Sequence, residues 1–263
     1  MSAGRGRTEA ASTSGWYVYG VMPAPQASEE PFEDVAPIGD GVTLIREGGL
    51  AAIASEVPLS AFSEDALAEN LRDPRWLEAR VRAHESVLEA ALGPVPVVPF
   101  RFGTIYSDED HVRKMLREHG GLEQALDRIR GKVELGVKGF LKGSTQPEQG
   151  APEPAVSQGR RYLEEKHRAR RLEQERAALR TQLAQETHER LTAVAADATA
   201  SALQPPEVSG REDEMFLNGA YLVKSERIEQ FRGALAALEA EHADRAGYEL
   251  TGPWPPYNFV EAA

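Results

Sequence analysis

From Lys132 onward the chain spells strand, helix, strand, strand, helix, strand, and few folds accept that order. Lys132-Val-Glu-Leu-Gly-Val-Lys-Gly-Phe-Leu141 alternates, with Val133, Leu135 and Val137 on one face of a half-buried strand. A helix over Gln158–Ala200 follows, striped by Leu172, Leu179, Leu183, Leu191 and Val194. Unbroken, it would run roughly 60 Å at about 1.5 Å per residue. Pro205-Pro206 blocks any continuation. Glu207–Arg211 and Met215–Lys224 read as strands. Ser225 caps a helix with Ile228, Phe231, Leu235 and Leu238 on one face, and Gly247 ends it before a last strand, Tyr248–Thr251. This is the ferredoxin-like βαββαβ order, with both helices on one face of an antiparallel sheet.

The first half is less regular. Residues 1–14 are small and polar, carry Arg5 and Arg7, and lack an apolar stretch, so they read as a disordered leader rather than a signal peptide. Trp16-Tyr-Val-Tyr-Gly-Val21 is a strand closed by Pro23 and Pro25. Val42–Arg46 and Leu50–Ser55 make a hairpin around Glu47-Gly-Gly49. Asp73 caps a helix with Pro74 at its first position, and Leu77, Val81, His84, Leu88 and Ala91 share its inner face. Residues 94–106 are extended because of Pro94, Pro96 and Pro99. Ser107 caps a further helix with an acidic first turn that ends at Gly120-Gly121, and a shorter helix runs from Leu122 to Gly131. The reading is therefore α+β with two domains: an N-terminal mixed α+β domain over 15–131 and a C-terminal ferredoxin-like domain over 132–263. The Pro/Gly/Ser/Gln-rich segment 143–157 is read as a mobile loop.

Candidate chemistry is thin. The 263 residues contain no cysteine, which excludes disulfides, thiolate catalysis and Cys-based zinc sites. The net charge of −12 argues against a broad nucleic-acid surface. No run of 18 apolar residues marks a membrane span. His84-Glu85 is half of a zinc-protease helix motif, but Leu88 stands where the second histidine belongs, so His84 reads as a core-edge residue. The histidines at 84, 111, 119, 167, 188 and 242 lack ligand spacing, and His242 continues the stripe of its helix. Gly136-Val-Lys138-Gly139 falls inside an alternating strand, where glycine marks a bulge or close backbone approach rather than a phosphate loop. The basic run Arg160-Arg161…Lys166-His-Arg-Ala-Arg-Arg171 is interleaved with Glu164, Glu165, Glu173 and Glu175, which fits a solvated helix face. Its contrast with an acidic C-terminal third would suit charge-guided assembly. Glu212-Asp-Glu214 pairs with no histidine or serine in a known constellation, and no Gly-x-Ser-x-Gly elbow occurs. In Phe100-Arg-Phe102 two core anchors flank an outward Arg101. No catalytic, cofactor-binding or metal-ligating residue is assigned.

The terminal Thr251-Gly-Pro-Trp-Pro-Pro-Tyr-Asn-Phe-Val260 holds so much apolar surface that it should dock on its own domain or face a partner. Because it follows a core strand, Trp254, Tyr257 and Phe259 are expected to cover the C-terminal sheet. Together with Trp16–Val21, Pro96-Val-Val-Pro-Phe-Arg-Phe-Gly-Thr104, Gly131-Lys-Val-Glu-Leu-Gly-Val-Lys138 and Gly219-Ala-Tyr-Leu-Val223, this peptide resembles the gas vesicle protein GvpL/GvpF family, with the blocks in family order from about residue 15 to 260. The resemblance implies a two-domain, non-enzymatic accessory or minor structural protein of gas vesicle formation in the cytoplasm. Its partners would be the gas vesicle shell protein and other accessory proteins, met during nucleation and assembly, with self-association as a further expectation. The alternative is a regulatory small-ligand-binding module on a ferredoxin-like scaffold.

Overall fold

The first strand, β1 (Ser14–Pro23), is buried on both faces from Tyr17 to Met22. Such a strand must carry apolar residues on consecutive positions, which is what Trp16-Tyr-Val-Tyr-Gly-Val21 supplies. The structure is a computed structural model and describes residues 13–93, 95–143 and 158–260. Residues 1–12 of the expected leader and 144–157 of the expected loop lie outside that range. The chain is α+β, with two sheets in two compact units, Met1–Val133 joined by Trp254–Ala263, and Glu134–Pro253.

In the first unit β1 pairs antiparallel with β3 (Leu50–Pro58), which pairs with β2 (Asp40–Glu47), as the expected hairpin requires. Two short helices follow, α1 (Leu59–Phe62) and α2 (Glu64–Asn70), and the Ser63 side chain accepts from Ala66 N–H to cap α2. Asp73 caps α3 (Pro74–Ala91) by accepting from Arg75 N–H. On its other side β1 pairs with β4 (Val98–Pro99) and β5 (Ile105–Tyr106), giving the order β2-β3-β1-β4. Next come α4 (Glu109–Glu118) and α5 (Leu122–Ile129). Asp108, not Ser107, caps α4: its Oδ1 accepts from His111 N–H at 2.8 Å.

The β1–β3 register slips between Val18 and Gly20, leaving Tyr19 as the extra residue of a bulge. That one residue reverses the alternation. Tyr17, Tyr19 and Met22 face a core built with Phe32, Phe62, Val87, Leu88 and Ala91. Val18 and Val21 face a second core containing Phe100, Val112, Leu116, Leu122, Leu126 and Ile129. The sheet therefore carries helix on both faces. Phe100 and Phe102 also part company, one in each core, because regular pairing stops at Pro99 and Gly103 turns the chain at φ +87°. The expectation that both anchor one face does not hold, although Arg101 is exposed as expected.

The second unit carries β6 (Lys132–Leu141) from Glu134 on. It continues through α6 (Gln158–Thr192), β7 (Asp197–Ala200), α7 (Pro206–Ser209), β8 (Met215–Lys224) and α8 (Ile228–Glu241) into β9 (Ala246–Trp254), which is in this unit up to Pro253. The sheet order is β7-β8-β6-β9. The element order matches the sequence reading, but two assignments within it do not. The long helix ends at Thr192, and the second strand is Asp197–Ala200, whereas the segment expected as a strand at 207–211 holds the short helix α7. Alanine-rich residues 193–202 favour helix locally, yet Ala196 N–H donates to Leu222 O at 2.7 Å and Ser201 N–H to Asn218 O at 2.8 Å. Pairing with β8 outweighs propensity there, and Pro206 is well placed to open a helical turn. Leu183 and Leu191 are fully buried, but Leu172 is exposed, so the expected stripe packs only along the C-terminal part of α6. Gly139 is a close approach, as its strand position implies: a Cβ there would stand 2.5 Å from the Phe216 ring.

At the β1 bulge a Cβ on Gly20 would lie 2.6 Å from Val98 O, a main-chain atom with nowhere to move. Gly20→Ala is expected to cost about 1–3 kcal/mol, the usual range for forcing atoms into a packed core. Urea unfolding would measure it, and an unchanged midpoint would contradict the packing.

Candidate functional site

The terminal peptide does not cover the second unit's sheet. Residues from Trp254 onward belong to the first unit, with Tyr257 packed against the α3 core and Val260 buried in the core lined by α4 and α5. The reason is polar as well as apolar. Tyr257 Oη lies 3.0 Å from His84 Nε2 and donates to Glu85 Oε1 at 3.2 Å. His84, 1 % exposed, has its other ring nitrogen 2.9 Å from Tyr17 Oη, and that hydroxyl accepts from Gly103 N–H at 3.0 Å. Trp254 remains exposed.

Directions follow from the two ends of this chain of bonds. Tyr17 oxygen accepts from a backbone N–H, so its proton points to His84 Nδ1. Tyr257 gives its proton to a carboxylate, so it accepts from His84 Nε2–H. A neutral, Nε2-protonated imidazole satisfies every bond. Burial lowers the His84 pKa to about 4, which fits that neutral state, and burial raises the Glu85 carboxyl above its ordinary value. Tyr17 and Tyr19 are likewise held in their neutral forms by burial. Groups this constrained can mark catalysis. Here each donor and acceptor is consumed by another segment of the fold, so the arrangement serves as a clasp for the tail. Sequence reading placed His84 correctly at a core edge but missed its partners at 17 and 257. The available signal was a polar ring at an otherwise apolar position: His84 on the inner stripe of α3, and Tyr17 and Tyr257 within apolar runs.

The second unit has its own buried polar cluster. His242, 2 % exposed, has Nδ1 at 2.6 Å from Tyr248 Oη and Nε2 at 3.5 Å from Glu186 Oε1, and Tyr248 Oη also meets Thr187 Oγ1 at 2.9 Å. Glu186, Glu241 and His242 are close enough to share a metal ion. However, Arg190 already pairs with Glu241 through both nitrogens, at 2.5 and 3.0 Å, and stands 3.7 Å from Glu186. The guanidinium supplies the cation this donor set would seek, so the cluster reads as a closed ion network. Glu214, from the acidic run at 212–214, is held by Arg176 at 2.8 Å and by Arg180. Partial burial pulls its carboxyl upward, but the two guanidiniums together hold it below the usual range.

The remaining candidates separate. His111 lies at the exposed cap of α4 beside Asp108, His188 meets Tyr221 Oη at 3.1 Å, and His167 is exposed. Gly136, Lys138 and Gly139 lie within β6. Of the basic run, residues 163–171 are exposed on α6, and Arg171 pairs with Glu175 at 3.2 Å. Downstream on the same helix a cleft of about 430 Å³ opens between α6 and β7–β8, lined by Arg180, Ala184, Ser201, Leu203, Phe216 and neighbours. It was not legible in sequence.

Comparison with known proteins gives consistent matches. A family model described as gas vesicle synthesis protein GvpL/GvpF matches residues 15–261. Gas vesicle protein L of a Streptomyces species is 32 % identical over 257 residues, covering 94 % of this chain and 93 % of the relative. Gas vesicle protein F2 of Halobacterium salinarum is 27 % identical over 254 residues, covering 95 % and 94 %. Among solved structures, the gas vesicle protein GvpF of an Anabaena species superposes with a TM-score of 0.70 at 21 % identity, covering 95 % of this chain and 97 % of that one.

Two outcomes are expected from the clasp. Tyr257→Phe removes the partner of His84 Nε2 and should cost about 1–3 kcal/mol, read by chemical denaturation. His84 is neutral when folded but takes up a proton near pH 6.5 when unfolded. Its contribution is therefore complete above that pH and lost as the pH falls toward about 4. The full loss is about 3 kcal/mol at 1.36 kcal/mol per unit. His84→Gln should flatten the stability profile between those limits, and an unaltered slope would contradict the burial argument.

Proposed function

We propose, from the fact that the chain belongs to the gas vesicle synthesis protein GvpL/GvpF family, that it is a non-enzymatic accessory or minor structural component of gas vesicle formation. In this reading it binds the shell protein or fellow accessory proteins during nucleation and assembly, at the vesicle in the cytoplasm. The observation that carries the reading is the span of the match, which covers both units and the terminal peptide from residue 15 to 261.

Physical features support it. The buried histidines 84 and 242, with the half-buried Glu85 and Glu186 beside them, are spent on packing the chain against itself, as the bonds of His84 and His242 illustrate. A net charge of −12 keeps the chain soluble beside an aggregation-prone partner. No helix among the described residues is long and apolar enough to cross a membrane. For architecture, we read the second unit as ferredoxin-like, supported by its element order and the sheet order β7-β8-β6-β9.

Deleting the gene in a vesicle-forming host should reduce vesicle number in electron micrographs, with recovery on re-expression. The tagged full chain should retain a gas vesicle protein in co-purification. Normal vesicles in the deletion strain, with none retained, would refute the role.

A further inference from the structure

Strand β2 borders the first unit's sheet, and side chains take up backbone groups on its open side. Leu44 N–H donates to Glu29 Oε1 at 3.1 Å, and Arg46 O accepts from Arg113 Nη1 at 2.6 Å. Charged side chains that blunt an edge in this way keep other strands from pairing with it. Strand β7 borders the second unit's sheet and is closed only in part. Ser201 N–H donates to Asn218 O, and Ala198 N–H donates to Asp197 Oδ1. Bonding alternates along an antiparallel strand, so the backbone groups of Thr199 and Ser201 face β8 and those of Ala198 and Ala200 face outward. Asp197 caps the first of these outward N–H groups. No side chain caps the second, Ala200 N–H, among the described residues, and Ala200 is exposed.

The cleft of about 430 Å³ opens over this same residue. Ala198 and Ala200 stand opposite Tyr221 and Gly219, and so share their face of the sheet. That is the face on which α6 packs, since Tyr221 Oη reaches His188. Here α6 contributes Ala184 and the sheet contributes Ala200, small side chains that leave the space unfilled. Leu203 and Phe216 are its apolar walls. Arg180 and His188 are the two lining residues able to carry a positive charge, and Glu214 and Tyr221 already engage them. An open hydrogen-bonding edge and an apolar recess without uncommitted charge therefore meet at Ala200.

We propose that β7 and this cleft receive an extended segment of a partner protein, added to the second unit's sheet as a further strand. Its backbone exchanges hydrogen bonds with Ala200 N–H and C=O, and one branched aliphatic side chain enters the cleft between α6 and Ala200. The backbone requirement selects an extended segment, because a helix has already spent these groups on itself. The cleft selects the side chain. A charged group there would lose water and find no free counter-ion, so the inward residue must be uncharged. A second copy of this chain pairing through its own β7 would present Ala198 and Ala200 to this face, and their methyl groups would leave the cleft empty. The proposal rests on the partner-binding role above and specifies the edge and the chemistry it uses.

The test is titration of the full, isotope-labelled chain with a short capped peptide that alternates threonine and valine. Two controls accompany it: the same sequence with every backbone nitrogen methylated, and one with aspartate in place of valine. In the free chain the Ala200 amide should exchange with solvent faster than those of Thr199 and Ser201. The alternating peptide should slow that exchange at least tenfold and shift the signals of Ala184, His188 and Asn218, and both controls should bind at least tenfold more weakly. Ala200→Pro removes the outward N–H but no bond to β8, a change that an edge strand tolerates. Leu203→Asp sets a carboxylate on the cleft wall at a half-exposed position. Each variant should raise the Kd at least tenfold at an unchanged melting temperature. If Ala200→Pro melts early, the methylated peptide makes the same test on the unaltered chain. Equal binding of the methylated peptide, an Ala200 amide already as protected as that of Thr199, or shifts confined to other surfaces would overturn the site. A dimer of this chain broken by Ala200→Pro would overturn the assigned occupant. If co-purification retains gas vesicle proteins while the peptide ignores β7, the site falls and the role stands. If the peptide binds here while no gas vesicle protein is retained, the role falls and the site stands.

Discussion

Two tyrosine hydroxyls on one buried strand govern the first unit. Tyr17 and Tyr19 are fully buried, so neither hydroxyl can be satisfied by bulk water. Tyr19 Oη accepts from Ile38 N–H at 2.8 Å and donates to Ser55 Oγ at 3.0 Å, and Ser55 donates onward to Gly41 O. Tyr17 Oη takes Gly103 N–H and meets His84, which meets Tyr257. Through these bonds β1 fixes the loop before β2, strand β3, helix α3, the turn after β4 and the terminal peptide. Leaving any one group unpaired would cost about as much as a buried hydrogen bond, and several depend on the same ring. The bulge at Tyr19 is what keeps both hydroxyls on one side while Val21 turns to the other.

This arrangement explains what could be read in sequence and what could not. Strand β1, the β2–β3 hairpin and the caps of α3 announce themselves locally, through β-branched runs, glycines and Asp73-Pro74. The destination of the tail does not. Tyr257 and His84 are 173 positions apart, and nothing about Trp-Pro-Pro-Tyr says which core will receive it. Adjacency to β9 argued for the nearer sheet, and a buried imidazole needing a second partner decided otherwise. The same contest was settled against local preference at 197–200, where an alanine-rich segment took its backbone bonds from β8. Local rules fail where a long-range partner offers a hydrogen bond that the local structure lacks.

The two units spend their charges differently. In the first, the network around His84 is neutral except for the Glu85 carboxylate at its edge. In the second, Arg176, Arg180 and Arg190 on α6 are engaged by Glu214 and Glu241, which come from the segment before β8 and from α8. These partly exposed pairs contribute modestly to stability, about 0–1 kcal/mol for a typical surface case. Their clearer effect is on position: they hold the C-terminal half of α6 against its unit through side chains on one face of the helix.

Packing changes along this same helix. From Arg176 to Thr192 the charges of α6 are matched within the unit, and Leu183, Thr187 and Leu191 are buried. From Leu163 to Glu175 the helix is exposed. An exposed turn adds little to stability beyond its intrahelical pairs. The packed half accounts for the contribution of α6 to the core; the exposed half is supported by pairs within the helix such as Arg171–Glu175.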